Sequence, residues 1–273
     1  SSFCSLHDCG SCTGGIADFF GGFGLVTTMS TACSSAANSI MLGADLIKSG
    51  RCDVVVAGGS ECLTRYHLNG FNSLKILDSE PCRPFDATRN GLNLGEGAGF
   101  VVLESEEHAL NRGVAPIGAL DGYGNACDAF HQTASSDDGE GAFLAMSKAL
   151  NMSGLKPRDI DYVNAHGTAT PNNDASESRA MIRLFGDKIP PVSSTKAFTG
   201  HTTSAAGSIE AVICLLAIRH GFIPANLNWK EPFDGGVVPD AEGHQGVRLD
   251  HVLCNSFGFG GNDSSLLISR YGK

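Results

Sequence analysis

Residues 30–40 read STACSSAANSI. Cys33 opens a stretch of small residues in which Ala36, Ala37, Ile40, Met41, Ala44 and Ile47 recur with a helical period, and Gly50 stops it. The thiol therefore sits at a helix start, where free backbone N–H groups and the helix dipole favour a thiolate. The same words return later: SAANSI at 35–40 differs from SAAGSI at 204–209 only in Asn38 against Gly207. His201 precedes the second copy as Cys33 precedes the first, so two related halves each place a reactive side chain ahead of a helix.

Outward from these helices, strands and helices alternate. The run DVVVA at 53–57 is apolar almost throughout and reads as a strand buried on both faces of a largely parallel sheet. Further strands are expected at 97–104, 116–123, 161–164, near Val192, at 247–255 and at 264–270. Helices are expected at 105–112, 139–152, 174–185 and 204–220. This alternation is α/β architecture.

Composition limits the function. The chain has 273 residues, 42% of them hydrophobic, enough for a packed core. Its net charge of −10 argues against general nucleic-acid or anionic-membrane binding. The longest apolar run, near 211–218, is too short to span a bilayer, and no basic-then-apolar signal opens the chain, so a cytoplasmic protein is expected. Ten cysteines scattered through predicted elements read as reduced, buried thiols. Cys4, Cys9 and Cys12, with His7 among them, lack a second paired-ligand cluster, so local packing rather than metal is expected. The basic residues Lys48, Arg51, Arg65, Lys75 and Arg89 are read as a candidate surface for an acidic partner or as scattered solvated charge. GEGAGF at 95–100 leads into a strand instead of opening a helix, which excludes a phosphate cradle.

The chemistry gathers in four segments: STACSS at Cys33, VNAHGTATP at His166, SSTKAFTGHTTSAAG at Lys196 and His201, and NSFGFGG at 255–261. A cysteine accepts an acyl group from a thioester nearly isoenergetically, which a serine would not. Two imidazoles could donate hydrogen bonds to an oxygen as negative charge forms on it. His166 should project from a strand's C-terminal end, where α/β sites gather. A helix dipole and the Lys196 cation would hold His201 neutral. His67, His108, His131, His220, His244 and His251 are read as structural or exposed.

In this order, and with CRPFDATRNGLNLGEGAGFVVLE at 82–104, the segments resemble the β-ketoacyl synthases, from about residue 25 to the C-terminus. The resemblance implies a thiolase-like, layered α-β-α-β-α fold built from two similar halves. The remainder of the first half would be residues 1–104, carrying the nucleophile, and the second half residues 105–273, carrying the histidines. Relatives carry a longer stretch ahead of the nucleophile, so a fragment lacking the N-terminal part of the first half is expected.

By residue, the resemblance implies Cys33 as nucleophile, His166 and His201 as enolate stabilisers, and Lys196 as the lysine ordering them, with Glu210 its charge partner. The N–H groups of Cys33 and Phe259 would form an oxyanion hole, with the Phe259 ring as gate. Thr168 and Thr170 would hold a phosphopantetheine arm, while Phe257 and Phe71 would contact substrate. Asn262-Asp263 departs from the Thr-Asn or Asn-Asn usual in relatives.

The implied activity is decarboxylative condensation of an acyl thioester on Cys33 with malonyl-acyl carrier protein, in fatty-acid or polyketide assembly. No bound cofactor and no metal are expected, since the substrate travels on the carrier's phosphopantetheine. The expected partners are acyl carrier protein and a second copy in a homodimer, or a related subunit in a heterodimer. The alternatives are a thiolase, which would need a second cysteine near the C-terminal turn where only Cys254 precedes it, and a non-catalytic chain-length subunit, which would lack the cysteine.

Overall fold

The computed structural model describes residues 8–272. Helix α1 (Ser11–Phe20) precedes the nucleophile loop, and α2 (Ser35–Lys48) follows it. Strand β1 (Val54–Glu61), α3 (Arg65–Ser73), β2 (Gly97–Glu104) and α4 (Glu106–Asn111) complete the first part. The second part runs through β3 (Gly118–Cys127), α5 (Glu140–Ser153), β4 (Tyr162–Asn164), α6 (Pro171–Phe185), β5 (Val192–Ser193) and α7 (Lys196–Thr199). It ends with α8 (Ala206–His220), β6 (Phe222–Ile223), β7 (His244–Gln245), β8 (His251–Gly258) and β9 (Asn262–Arg270).

A five-stranded sheet of order β3-β9-β8-β4-β5 forms the centre of the second part. Its β3, β9 and β8 are antiparallel neighbours, whereas β8, β4 and β5 run parallel. Alternation along the strands feeds two cores. Tyr162, Val252, Cys254, Leu266 and Ile268 face α2 and α8, while Val163, Leu253 and Leu267 face Met146, Ala149 and Met181 of α5 and α6. Layers of helix, sheet, helix and the β1–β2 ribbon therefore stack in turn.

The repeated hexapeptides form the inner helix layer. At the Gly207 position a β-carbon would come within 2.9 Å of both the Ala37 Cβ and the Ala37 backbone N, so α2 and α8 cross at backbone distance. Gly99 likewise admits the backbone of Ile209, since a β-carbon there would meet its N at 2.9 Å. Gly99, in the GEGAGF stretch, is thus a point of close approach between β2 and α8.

Some expectations need correction. Among the described residues, DVVVA pairs antiparallel with β2, and Val54, Val56, Phe100 and Val102 (62% exposed) lie on the face away from α2 and α8. An unbroken apolar run does not distinguish a strand covered on two faces from one covered on one. Strand β8 starts at His251 instead of Val247, because the Val247 N–H bonds the Gly221 carbonyl beyond α8. Helix α6 starts at Pro171 instead of Asp174, since Thr170 caps it and Pro suits its first turn.

Arg89 is not a surface charge. It is held beside buried Asp174 with its guanidinium 3.6 Å from the Phe233 ring centroid. The thiols are not uniformly buried either: Cys33, Cys82, Cys214 and Cys254 are, but Cys9, Cys12, Cys62 and Cys127 are exposed. Cys4 and His7 lie outside the described residues. The Cys12 thiol is 2.9 Å from the Ser60 hydroxyl, and no group of three or more metal-binding side chains occurs among the described residues. No described helix is long and apolar enough to cross a membrane.

Candidate active site

Cys33 is 5% exposed and follows Ala32, whose φ of 52° places a residue with a β-carbon in the left-handed region. The N–H groups of Ser34 and Ser35 turn back onto the carbonyls of Thr31 and Ala32, so local turns consume them. The expected low-pKa thiolate is corrected accordingly. Burial pushes the Cys33 thiol up to about 11, against the opposing pull of the Lys196 ammonium and a hydrogen bond from the Phe259 backbone N–H. At rest the group is a protonated thiol.

Across the site, His166 leaves the C-terminal end of β4 and His201 follows α7. Their ring centroids lie 5.2 Å apart at 84°, and the rings are 2% and 1% exposed. Burial, then the Lys196 charge, holds the pKa of each well below the ordinary value, so both are neutral. Among the described residues neither Nδ1 has a hydrogen-bond partner, so no carbonyl or carboxylate there holds a proton on that nitrogen.

His201 is not in the first turn of α8. It precedes a 3-10 turn at Thr203–Ala205, and its backbone bonds Asn93 and Gly95, which form a short bridge beside it. A β-carbon on Gly95 would lie 2.0 Å from the Thr199 carbonyl oxygen. The GEGAG cluster is therefore a backbone bed for this histidine.

Lys196, at the start of α7 and 1% exposed, lies 2.5 Å from Glu210 Oε1 on α8. Burial pushes the Glu210 carboxyl up and the ammonium pulls it back. A buried pair of this kind resists the loss of either partner alone. Phe257 is buried with its ring 5.6 Å from His166, and Phe259 stacks at 6.0 Å on Phe71 of α3. The Thr168 and Thr170 hydroxyls lie 2.9 Å from each other, and Thr170 also accepts the Asn173 N–H as the N-cap of α6.

Two carboxylates that sequence reading passed over hold the histidine segments in place. Glu177 accepts the N–H groups of His166 and Gly167 at 2.9 and 2.8 Å, and burial pushes its carboxyl up to about 7. Glu61, at the end of β1, accepts hydrogen bonds from the hydroxyls of Thr203 and Ser204 at 2.5 and 2.6 Å and contacts His67 at 3.3 Å. Thr203 is β-branched and held at φ 37°, so Glu61 fastens a strained turn next to His201. The available signals were positional: Glu177 sits on the inner side of a polar helix, and Glu61 ends an apolar strand.

A buried thiol facing an amide donor, with two neutral imidazoles and a buried ammonium nearby, in a layered α/β fold with a repeated helix motif, is the constellation of a thiolase-fold condensing enzyme. The β-ketoacyl synthase N-terminal domain model matches residues 10–109, and the C-terminal domain model matches residues 117–230. The mitochondrial 3-oxoacyl-[acyl-carrier-protein] synthase of Arabidopsis thaliana is 43% identical over 88% of this chain and 55% of its own length. Nodulation protein E of Rhizobium meliloti is 41% identical over 90% of this chain and 62% of its own. Among solved structures, the ishigamide ketosynthase/chain length factor matches with TM-score 0.92 and 36% identity, covering 97% of this chain and 66% of that one. A type II polyketide ketosynthase solved with its acyl-carrier protein (AntDE:AntF) matches at TM-score 0.94 and 28% identity, covering 100% and 69%. The chain belongs to the β-ketoacyl synthase family. It spans 55% to 62% of the length of the two curated relatives named here.

Proposed function

We propose that this chain carries the acyl-transfer and condensing site of a 3-oxoacyl-[acyl-carrier-protein] synthase. Cys33 takes an acyl group from a carrier thioester: its sulfur bonds the carbonyl carbon, the carrier sulfur leaves with the proton, and the transient oxyanion lies toward the N–H groups of Cys33 and Phe259. A malonyl thioester then loses CO2 as the bond between its carboxyl and methylene carbons breaks. The electron pair moves into an enolate whose oxygen accepts hydrogen bonds from His166 and His201. The enolate carbon attacks the acyl-Cys33 carbonyl, and expulsion of the sulfur, which takes a proton from solvent to return to the thiol, yields the 3-oxoacyl thioester.

The observation carrying this reading is the His166–His201 pair, 5.2 Å apart and kept neutral by burial and by Lys196. An imidazolium would give up its proton to the enolate; a neutral ring donates a hydrogen bond and keeps it. Lys196 acts by its charge, with Glu210 as counter-ion, and Thr168 and Thr170 stand beside the path of the phosphopantetheine arm. Acyl carrier protein is the delivering partner. A second copy, or a related subunit like the chain length factor solved with the ketosynthase ApeO, pairs with the chain. The two units of function are residues 1–104 with the nucleophile and 105–273 with the histidines.

Intact-mass measurement after incubation with acyl-carrier thioesters of graded length tests the reading. A single acyl adduct is expected on the native chain and none on Cys33→Ala. An adduct persisting in that variant would remove the nucleophile assignment.

A further inference from the structure

The turn that offers the Phe259 N–H to Cys33 closes through the Gly258–Asn262 pair of the β8–β9 hairpin, and Asn262 also pairs with Cys127 of β3. That turn presses on the nucleophile loop. A β-carbon on Gly258 would stand 2.7 Å from the Thr31 carbonyl oxygen and 3.1 Å from the Ser34 hydroxyl. Thr31 and Ser34 flank Cys33 at two and one residues' distance, so the spacing between sulfur and N–H depends on how firmly loop and turn are joined.

One side-chain atom gathers most of the contacts between them, and the Ser264 hydroxyl of β9 adds a bond to Asn38 Oδ1 at 3.2 Å. Asn262 Oδ1 accepts hydrogen bonds from the Ser34 hydroxyl at 2.8 Å, from Asn38 Nδ2 of α2 at 2.9 Å and from Asn125 Nδ2 of β3 at 2.8 Å. The donors are cross-linked in turn: Asn38 Nδ2 reaches the Thr31 hydroxyl at 2.8 Å, and Asn125 Nδ2 reaches Asn38 Oδ1 at 3.0 Å. An amide oxygen has two lone pairs, so three donors saturate it and leave it little freedom to drift. The network ties the residues on either side of the nucleophile to the strand carrying the oxyanion donor.

We propose that Asn262 is a positioning residue that sets the distance between the Cys33 sulfur and the Phe259 N–H through its amide oxygen. The proposal rests on the acyl-transfer reading of Cys33. It assigns Asn262 no contact with substrate, and it separates Asn262 from Asp263, whose side chain has no part in this network.

The test compares the full chain with Asn262→Ala and Asn262→Thr, the threonine keeping one oxygen acceptor. Two rates are read on Cys33: acylation by an acyl-carrier thioester, which needs the oxyanion donor, and alkylation by iodoacetamide at pH 8, which needs an accessible thiolate but no oxyanion donor. For Asn262→Ala we expect acylation to fall about tenfold to hundredfold at nearly constant KM. Alkylation should slow about threefold, as half a unit of pKa requires. Asn262→Thr should recover most of both.

Acylation at the native rate, or a loss explained by raised KM with alkylation unmoved, overturns the proposal. If Asn262→Ala does not fold, Ser34→Ala removes one donor and should give the same pattern at smaller amplitude; native rates there overturn it equally. A native chain that iodoacetamide alkylates at Cys33 but no acyl thioester acylates defeats the functional reading instead, and the alkylation rates still judge Asn262.

Discussion

The nucleophile side and the histidine side of the site are both buried, yet burial acts on them with opposite sign. On one side it raises the Cys33 pKa to about 11 and keeps the proton on sulfur; on the other it lowers the pKa values of His166 and His201 and keeps protons off the rings. Lys196 opposes the first effect and reinforces the second. The thiol and the two imidazoles therefore rest uncharged, and on the proposed reading charge appears there only when a thioester arrives. The two sides also differ in their supports. The thiol is held by neutral amides and hydroxyls, whereas the histidine segments are held by the carboxylates Glu177 and Glu61.

The comparison is broken most forcibly at the imidazoles. His166→Ala or His201→Ala should lower CO2 release from malonyl-carrier protein by about 10²- to 10³-fold while Cys33 acylation changes by less than tenfold, as labelled-CO2 and intact-mass assays can separate. Equal losses in both assays would mean that the rings serve the sulfur. Next in size, Lys196→Met strands Glu210 and should cost about 3–5 kcal/mol in denaturant unfolding, most of which Lys196→Met combined with Glu210→Leu should restore. In either variant the histidine pKa values should rise, which NMR titration of the imidazoles can follow.

Stability against pH sharpens the contrast between supports. Burial, with the charges of Asp128 and Glu177, pushes Asp263 up from 3.8 to about 8, and Glu177 is pushed from 4.5 to about 7. The folded state keeps these protons where the unfolded chain has lost them. Their contribution is full below about pH 4 and declines as pH rises toward 8. Asp263→Asn should flatten that decline, measured as unfolding free energy between pH 5 and about 8; an unchanged slope would place the proton elsewhere. The smallest effect is expected at Thr170→Ala, which removes the cap of α6 and should cost about 1 kcal/mol of stability. A raised KM for carrier substrates in that variant would assign the hydroxyl a second task.

Much of this arrangement was legible in the sequence where a local rule governs it. The period of Ala36 to Ile47 gave α2, the repeated hexapeptide pointed to the paired inner helices, and residue order within the four segments gave the family. What escaped depends on contacts distant in sequence. The protonation state of Cys33 follows from burial, which outweighs the opposing pull of Lys196 and the Phe259 N–H, and a helix-start argument counts none of these. The DVVVA run carries no mark of whether a second layer covers its outer face. Glu61 and Glu177 read as ordinary acids because the groups they hold beside the histidines, at 203–204 and 166–167, lie 10 to 143 residues away.

At the crossing of α2 and α8, a β-carbon on Gly207 would meet Ala37 at 2.9 Å, leaving no side-chain cushion between the helices. One helix begins beside the sulfur; the other carries the counter-ion of the lysine that governs the imidazoles. Peptide against peptide, they form a single chassis with no side chain between its two beams. On the proposed reading, the alignment of the reacting groups therefore rests on backbone packing, and side chains elsewhere around the site can change without moving it.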